Sequence, residues 1–269
     1  MSATVDAEKF SKYLNNAPVL NIPGRIFPVI SHYLEDAIEL TNFSIDESDV
    51  GRKKSRYGEE LDDDDTTETT YTSTNILLEY SQGTRTTLSR INENKIQYNL
   101  IVKLIETIAT HPDYAHYSQA ILVFLPGIGE IRKLNDLLMG HPYFSGYGAG
   151  GRRFHGGWLI YPLHSSIASE EQEAAFLVPP RGSRKIILAT NIAETGITIP
   201  DITCVIDSGK HKVMWYSERR QSSRLVEHFI SRANAKQRRG RAGRVQEGLC
   251  FHLFTKERLA TWVCAIPST

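Results

Sequence analysis

The amino-acid sequence predicts an α/β fold in which helices cover both faces of a parallel β-sheet. Short, continuously apolar runs recur along the chain, as expected of strands. Stretches with apolar residues at helical spacing separate these runs. Continuous apolar strands are typical of a parallel sheet buried on both faces, because the intervening helices cover it on each side.

The predicted strands and helices alternate from residue 92 onward. A helix is expected from a cap at Asn92 or Asn94 through Thr110, with apolar residues along one face. Strands are expected at 120–125, 158–163, 185–189, 203–207 and 249–254, and further helices at 127–138, 168–176 and 192–195. Earlier in the chain, the Pro and Gly residues of 18–39 predict short strands between turns. Ligands of such a sheet lie beyond the carboxyl ends of its strands.

Composition excludes several classes of protein. Of the 269 residues, 41% are hydrophobic and 23% are charged, which is typical of a soluble globular protein. The longest apolar runs are too short to span a bilayer, and the chain does not start like a leader peptide. Three cysteines without CxxC spacing, Cys204, Cys250 and Cys264, argue against a disulfide framework or structural zinc and favour an intracellular protein.

Charge is divided unevenly along this chain of zero net charge. Residues 207–269 hold 13 basic and 5 acidic residues, a local balance of +8, and residues 1–206 carry −8. Much of the negative charge lies in 44–74, which contains an aspartate run at 62–65 and few apolar groups. Such a segment cannot offset its chain entropy by burial, so we expect a mobile surface insertion. A solvated acidic loop and a partner-binding or RNA-mimicking role both stay open.

A glycine-rich stretch at 145–157 is expected to be a flexible loop. Gly146, Gly148 and Gly151 satisfy the G-x-G-x-x-G spacing of dinucleotide sites, but they precede a strand instead of following one. The sequence also contains no G-x-x-x-x-G-K-[ST], the loop that holds the β-phosphate and magnesium of a nucleotide. We therefore expect that this chain cannot hold a nucleoside triphosphate by itself.

The strongest signal is the basic sequence QRRGRAGR at 237–244. Ser231 is a suitable N-cap for a helix that runs into it. Helical spacing then places Gln237, Arg241 and Arg244 three or four residues apart and directs several guanidinium groups the same way. Their mutual repulsion requires a polyanion, and planar guanidiniums bind phosphate oxygens through paired hydrogen bonds. The alternative is a solvated basic helix that binds RNA without specificity.

Together with its neighbours, this sequence resembles the DEAH-box (DEAH/RHA) family of RNA helicases. QRRGRAGR is similar to motif VI of the family, 189–209 (ATNIAETGITIPDITCVIDSG) to motif V, and 121–131 (ILVFLPGIGEI) to motif IV. Residues 2–4 (SAT) resemble motif III, and 22–29 (IPGRIFPV) resemble the passage into the second RecA-like domain. The resemblance implies that 1–20 are the tail of a first RecA-like domain and that 21–269 are a second one, with an inserted β-hairpin.

The resemblance implies roles for residues at the nucleotide. Arg241 and Arg244 would be arginine fingers that neutralise charge on the γ-phosphoryl group, and Gln237 would orient the attacking water. Pro200 stands where most members have a ribose-binding Asp, so the acid is moved by one position and loose nucleotide selectivity is expected. The remaining nucleotide-binding positions implied by the family are Phe176, which would stack on adenine unless it only packs in the core, and Gly196, Thr198 and Asp201.

The resemblance also implies contacts with RNA from the ends of two strands. Motif V would place Thr190, Asn191 and Thr195 near the RNA backbone, where short polar side chains suit phosphate and 2′-OH groups. His164 and Ser165 match a loop of the family that follows RNA phosphates, although a simple strand-ending turn fits them equally well.

A β-hairpin is expected between motifs V and VI, with strands at 212–216 and 223–229 joined by a polar turn at 217–222. Its position and length match the hairpin that lies beside the RNA exit in the family. Arg219 and Arg220 near its tip would meet phosphates, and Trp215 or Tyr216 would stack on a base. Packing of Trp215 against the domain is the alternative.

The expected function is that of the second RecA-like domain of an ATP-dependent RNA helicase. The expected ligands are RNA and ATP, or another nucleoside triphosphate, with Mg²⁺, and the nucleotide is bound mainly by the first RecA-like domain. The expected partners are that domain and the C-terminal domains of the same polypeptide, with the small ribosomal subunit as a further candidate and no membrane. The sequences of 230–244 and 198–201 are most similar to those of the large cytoplasmic members of the family, which include the ribosome-associated initiation helicase. A cytoplasmic protein is therefore expected, with the nucleus as the alternative.

Two other functions stay open: a non-enzymatic RNA-binding module that uses the basic last quarter, and a helicase relative that acts on DNA. The isolated chain is expected to be inactive in either case, because motifs I and II are absent from its sequence.

Overall fold

The computed structural model describes residues 11–20, 27–45, 79–145, 157–167, 169–195, 197, 199–217 and 221–261. Several sequence predictions lie outside these residues: the motif III match at 2–4, most of the acidic segment and of the glycine loop, Gly196, Thr198, Arg219 and Arg220. The side chain of Thr195 lies outside them as well. All of these stay predictions.

Six parallel strands of the described residues form one sheet. They are β1 (Val29–His32), β2 (Ala120–Phe124), β3 (Trp158–Leu163), β4 (Arg184–Ala189), β5 (Cys204–Asp207) and β8 (Gly248–His252), in the order β1-β8-β5-β2-β4-β3. Because all neighbours are parallel, their carboxyl ends lie along one edge, called the carboxyl edge below. The strands β6 (Lys210–Ser217) and β7 (Ser222–Phe229) form a separate antiparallel hairpin that follows β5.

Helices connect the strands and cover the sheet. They are α1 (Leu34–Thr41), α2 (Gln82–Arg90), α3 (Tyr98–Thr110), α4 (Ile128–Gly140), α5 (Ser169–Phe176), α6 (Ile192–Thr195), α7 (Arg232–Arg239) and α8 (Lys256–Thr261), with a 3-10 turn at Ala115–Ser118. In the part of the chain that the structure describes, no helix combines the length and the apolar character that crossing a membrane requires.

Side chains along the strands alternate between two buried clusters, one on each face of the sheet. Ile121 and Val123 pack with α1, α3 and α4 on one face. Leu122 and Phe124 pack on the other, with α5, the segment 193–202 and Ala242. This alternation is the two-residue period of a strand, and every residue of β2, β5 and β8 is buried. The α/β fold is therefore confirmed, and the second face, called the motif face below, carries the segments that match motifs V and VI.

The five predicted strands occur within two residues of their expected bounds, but the helix expected from Asn92 or Asn94 begins at Tyr98. Asn92 forms a turn instead of a cap: its Oδ1 accepts from the Asn94 N–H at 2.8 Å, and its carbonyl accepts from the Lys95 N–H at 3.0 Å. Ile96, predicted on the apolar face, still packs against the first cluster from this turn.

The prediction of short strands and turns over 18–39 agrees with β1 but was wrong for residues 34–39, where α1 forms. Leu34, Ala37 and Ile38 have helical spacing and are buried. The Asp36 carboxylate accepts a hydrogen bond from the Tyr33 N–H at 2.8 Å, which ties the first turn to the residue that precedes it. The Pro and Gly residues before position 29 drew the prediction towards turns, although the helical pattern begins only after them.

The acidic segment predicted at 44–74 begins with a residue that belongs to the core. Ile45 packs against a third buried cluster, which includes Leu34 and Ile38 of α1 and Leu88 of α2. A part of this segment without core contacts therefore cannot begin before residue 46.

Candidate functional site

The basic sequence 237–244 is divided between a helix and a turn. Ser231 caps α7 as predicted, with its hydroxyl accepting from the Asn234 N–H at 3.2 Å. The helix ends at Arg239, so Arg241 and Arg244 are not aligned with Gln237 by helical spacing, and that step of the sequence argument was wrong. Gln237 lies on α7 and is half-buried.

Close backbone packing determines where the turn lies. A Cβ atom on Gly243 would lie 2.6 Å from the carbonyl oxygen of Phe27, and the Phe27 N–H donates to the Gly243 carbonyl at 3.0 Å. Only a residue without a side chain fits this approach. The small residues between the arginines thus place the turn against the segment that enters β1.

Arg238 is completely buried and holds α7 on the motif face. Its Nε lies 2.7 Å from Glu194 Oε1, and its Nη1 lies 2.8 Å from Asp207 Oδ1. The guanidinium also lies over the Phe124 ring, 4.8 Å from its centroid. Asn234 adds a hydrogen bond from Nδ2 to Glu194 Oε2 at 2.8 Å. A side chain with these contacts and no exposed surface positions the motif and does not contact a ligand.

The Arg238 contacts continue into a buried row of polar groups at the ends of two adjacent strands. His252 Nδ1 lies 3.2 Å from Asp207 Oδ2, and His252 Nε2 lies 3.5 Å from Cys250 Sγ. Although burial opposes its ionisation, Arg238 and His252 lower the pKa of Asp207 to about 2. Burial raises the pKa of the Cys250 thiol, which has no exposed surface, so this Cys-His-Asp row is not a nucleophilic site.

Arg241 faces the loop that follows α6. Its Nη1 donates to the Ile197 carbonyl at 2.7 Å, and its Nη2 donates to the Glu194 carbonyl. The residue is 7% exposed. Burial first, and the charge of Arg244 second, lower the pKa of Arg241 to about 10, so it remains a cation at neutral pH. Arg241 thus lies beside the motif V segment, near enough to Arg244 for the two charges to interact.

Glu194 links these contacts, because its carboxylate binds Arg238 and Asn234 while its carbonyl accepts from Arg241. The segment 190–201 crosses the motif face from the end of β4, at the carboxyl edge, to the beginning of β5. No sequence motif indicated a role for Glu194, Asp207 or His252. Asp207 and His252 become neighbours only through the parallel register of β5 and β8, and no local sequence pattern indicates that register.

Phe176 and Asp201 lie at the other end of that segment and are joined through Lys185. The buried Lys185 Nζ lies 2.7 Å from Asp201 Oδ1 and donates to the carbonyls of Ala175 at 3.0 Å and Leu177 at 2.9 Å. These carbonyls flank Phe176, whose partly buried ring packs against the cluster of the motif face. The Phe176 ring therefore packs partly in the core, as the alternative prediction proposed, and keeps some surface exposed.

The predicted RNA contacts of motif V and of the His164 loop follow two neighbouring strands. Leu163 and Ala189 are register partners at the ends of β3 and β4, so His164 and Thr190 follow them at the carboxyl edge. His164 Nδ1 lies 2.8 Å from Ser166 Oγ and 3.1 Å from the Ser166 nitrogen, which makes a tight strand-ending turn. Thr190 is mostly buried, whereas Ser165 and Asn191 are exposed.

The hairpin exposes its aromatic residues. Trp215 is 45% exposed and Tyr216 is 57% exposed. Within the described residues, the ring neighbour of Trp215 is His228 of the same hairpin, with centroids 6.0 Å apart. Base stacking by Trp215 and packing of Trp215 against the domain both stay open. The base of the hairpin is fixed to α4 by Lys212 Nζ, 2.9 Å from Glu130 Oε1.

The candidate residues thus form two separate groups. The predicted nucleotide residues Phe176, Asp201 and Arg241 are joined across the motif face through Lys185 and the segment 194–201, whereas the predicted RNA residues His164, Ser165, Thr190 and Asn191 lie at the carboxyl edge. No cluster of His, Cys, Asp and Glu suited to a metal ion occurs among the described residues.

Comparisons with known proteins identify the family. A family profile described as "Helicase conserved C-terminal domain" matches residues 99–246. The ATP-dependent RNA helicase dhx29 of Xenopus laevis is 40% identical over 289 residues, covering 98% of this chain and 20% of that protein. The ATP-dependent DNA/RNA helicase DHX36 of Homo sapiens is 39% identical over 272 residues, covering 94% of this chain and 25% of that protein.

A solved structure agrees with these relatives. The crystal structure of the E. coli DExH-box NTPase HrpB matches with a TM-score of 0.63 and 26% identity, over 98% of this chain and 24% of that one. The RecA-like form of the sheet is thereby confirmed. The chain spans about a fifth to a quarter of the length of the proteins it matches. Its sequence and fold show that the chain belongs to the DEAH-box family of RNA helicases, of which it carries the conserved C-terminal helicase domain.

Proposed function

We propose that the chain acts as the second RecA-like domain of an ATP-dependent RNA helicase and couples hydrolysis of a nucleoside triphosphate to translocation on RNA and its unwinding. The position of Arg241 carries this proposal. Its guanidinium is held by the carbonyls of Glu194 and Ile197, in a segment that starts with Thr190 and Asn191 at the carboxyl edge. One short segment therefore joins the proposed phosphate contact to the proposed RNA contact.

Arg241 and Arg244 are proposed as the arginine fingers, with Gln237 orienting the attacking water. The lowered pKa of Arg241 supports this, because burial lowers it first and the positive charge of Arg244 lowers it further. A phosphate group placed between them would relieve that repulsion and form charge-assisted hydrogen bonds with both. Arg238, whose charge is already balanced by two carboxylates, has no such requirement.

The adenosine part of the nucleotide is proposed to lie along the remainder of this face. Phe176 would stack on the base, and Gly196, Thr198 and Asp201, which follow Glu194 in the sequence, are proposed as further nucleotide contacts. Lys185 ties Asp201 to the main chain on either side of Phe176, which supports one continuous binding surface. Asp201 Oδ1 is paired with Lys185 and both carboxylate oxygens are buried, so a ribose hydroxyl has little access to them, which agrees with loose nucleotide selectivity.

RNA is proposed to bind along the carboxyl edge, at His164, Ser165, Thr190 and Asn191. Thr195, Arg219 and Arg220 are proposed as further RNA contacts. In this proposal residues 1–20 end a first RecA-like domain, which holds most of the nucleotide and its Mg²⁺, and further domains follow. The small ribosomal subunit as a partner and a cytoplasmic location stay predictions.

DNA is a second candidate substrate, since one relative bears the name of a DNA/RNA helicase. The test is ATP hydrolysis by the chain alone and by the chain joined to a first RecA-like domain. We expect no turnover by the chain alone, and turnover stimulated by RNA in the joined protein. Turnover by the chain alone, or a folded joined protein that binds RNA without hydrolysing ATP, would contradict the proposal. Stimulation by single-stranded DNA equal to that by RNA would favour the second substrate.

A further inference from the structure

The outer face of α7 carries three cations that the motif VI contacts do not use. Arg232, Lys236 and Arg239 lie at successive helical spacings of four and three residues, so they form one stripe about 10 Å long. Arg238 points to the other side, into the buried carboxylates. The two faces of α7 therefore differ. Arg238 on the inner face is neutralised by Glu194 and Asp207, whereas the three outer cations have no carboxylate partner among the described residues.

These three side chains line a groove of about 500 Å³, which α8 and Tyr33 close on the opposite side. Arg232 donates from Nε to the Leu259 carbonyl at 2.9 Å and from Nη2 to the Ala260 carbonyl, so its guanidinium is fixed while its charge is not paired. Lys256 adds a further cation to the wall, with Nζ 5.7 Å from the centroid of the Tyr33 ring. Lys256 itself donates to the Tyr80 hydroxyl at 3.3 Å. The three cations of α7, beside an aromatic ring, suit a polyanion that also carries apolar or aromatic groups.

The groove opens near the same edge of the sheet as the proposed RNA contacts. Tyr33 directly follows β1, and His252, also in the lining, ends β8. Thr190 follows β4 at that edge, and the strand order places β4 three positions from β8, which is about 14 Å at the usual strand spacing. The hairpin leaves the sheet from β5, between these two places. A single strand bound at Thr190 therefore needs only a few nucleotides to reach the groove.

We propose that this groove is a second binding site for the phosphate backbone of single-stranded RNA, with Arg232, Lys236 and Arg239 as its phosphate contacts. The inference rests on the proposed function, and extends the RNA path from the end of β4 past the base of the hairpin to α7. The outer face of α7 then binds RNA, while its inner face anchors motif VI through Arg238. RNA and the nucleotide therefore both act on one helix.

The test measures the affinity of the full 269-residue chain for a fluorescent uridine oligonucleotide at a series of salt concentrations. The triple variant Arg232→Ala/Lys236→Ala/Arg239→Ala should lower the slope of log affinity against log salt by about 2, since each single-strand phosphate contact contributes about 0.7. The double variant Lys236→Ala/Arg239→Ala keeps the Arg232 bonds to α8, guards against a loss of folding, and should lower the slope by about 1.4.

The matched control removes the same charge from the other side of the molecule. Arg90, Lys103 and Arg132 are exposed on α2, α3 and α4. Their triple Ala variant should leave the slope unchanged. Equal slopes for the wild type and both groove variants would overturn the proposal. A control variant whose slope falls as much as the slopes of the groove variants would overturn it as well.

Two further arms separate this proposal from the function on which it rests. If Asn191→Ala weakens RNA binding while the groove variants do not, the RNA contact at the carboxyl edge stands and the groove proposal falls. A wild-type chain without affinity for the oligonucleotide overturns both. If an oligo-aspartate peptide, and not RNA, loses affinity in the groove variants, the groove binds an acidic protein segment and the RNA assignment is wrong.

Discussion

Arg238 and Arg241 lie three residues apart in one basic sequence, yet their surroundings differ. Arg238 is enclosed by Glu194, Asp207 and the Phe124 ring, whereas Arg241 meets main-chain carbonyls and the charge of Arg244. The sequence alone indicates only that clustered arginines need anions. Which arginine already has its anions inside the protein depends on carboxylates at positions 194 and 207, which the fold brings to it.

Removing the Arg238 charge should destabilise the domain strongly. Arg238→Met leaves Glu194 and Asp207 buried without their cation, and breaking a buried pair in this way costs about 3–5 kcal/mol. Urea denaturation of the chain measures the loss. Arg239→Met, next to it on the outer face, should change the free energy of unfolding by no more than about 0.5 kcal/mol. Similar losses for both variants would show that the buried contacts of Arg238 contribute little.

The Asp207–His252 contact predicts a pH dependence of stability. Burial alone would lower the pKa of His252, but its contacts with Cys250 and Asp207 outweigh burial and raise it above the ordinary value of 6.5. The folded state therefore keeps a proton that the unfolded chain releases, so this stabilisation is complete below about pH 6.5 and is lost as the pH rises towards the higher folded pKa. Arg238 also faces Asp207, with Nη1 2.8 Å from Asp207 Oδ1.

The free energy of unfolding should accordingly fall between pH 6 and pH 9 in the wild type. His252→Gln keeps a polar side chain without a proton to lose, so its stability should change less over the same interval. Parallel curves for the two proteins, from denaturant titrations at each pH, would show that His252 does not cause the dependence.

Among the secondary-structure elements, the apolar pattern was sufficient to predict the strands of the sheet but not the residues at which helices begin and end. The strands β2, β3, β4, β5 and β8 are continuous apolar runs, because both faces of the sheet are covered, and such runs are visible in the sequence. The end of α7 at Arg239 was missed because the close approach of Gly243 to Phe27 is a tertiary contact. The start of α3 was missed because Asn92 serves a turn as readily as a cap.

The exposed aromatics of the hairpin should contribute to RNA binding. Tyr216→Ala should weaken binding of a single-stranded oligonucleotide by about 1–3 kcal/mol, as loss of a stacked base does, with little change in melting temperature. Met214 is also exposed and lies two residues away on the same face of β6, so Met214→Ala is the matched control. Equal effects of the two substitutions would mean that general apolar contact, and not base stacking, accounts for the loss.

The acidic segment should contribute little to stability. Replacing residues 46–74 by a short Gly/Ser linker keeps Ile45 in its cluster and should leave the melting temperature nearly unchanged. If the segment limits access of nucleic acid, the replacement should strengthen RNA binding at low salt, and the difference should disappear at high salt through screening. A large fall in melting temperature would show that the segment packs on the domain. Equal RNA affinities of the wild type and the variant at low salt would favour the interpretation that the segment is only a solvated loop.

For the whole molecule, the structure joins two surfaces through one segment of chain. The segment 190–201 starts at the carboxyl edge, holds α7 through Glu194, holds Arg241 through two carbonyls, and ends at Asp201 beside Lys185. The family resemblance indicated which motifs belong to the nucleotide and which to RNA. It did not indicate how the two are joined, because the carbonyls of residues 194 and 197 carry no side-chain signal. Arg241 is therefore the residue on which the proposed link between nucleotide and RNA depends most.

The most direct test is the turnover of ATP by the chain joined to a first RecA-like domain, measured with saturating RNA for Arg241→Ala and Arg244→Ala. We expect each substitution to lower kcat by about 10³ or more, as expected of arginine fingers, while RNA affinity stays within a few-fold of the wild type. Arg132→Ala, on the exposed face of α4, should leave both unchanged. Wild-type turnover in both the Arg241 and Arg244 variants would contradict the account.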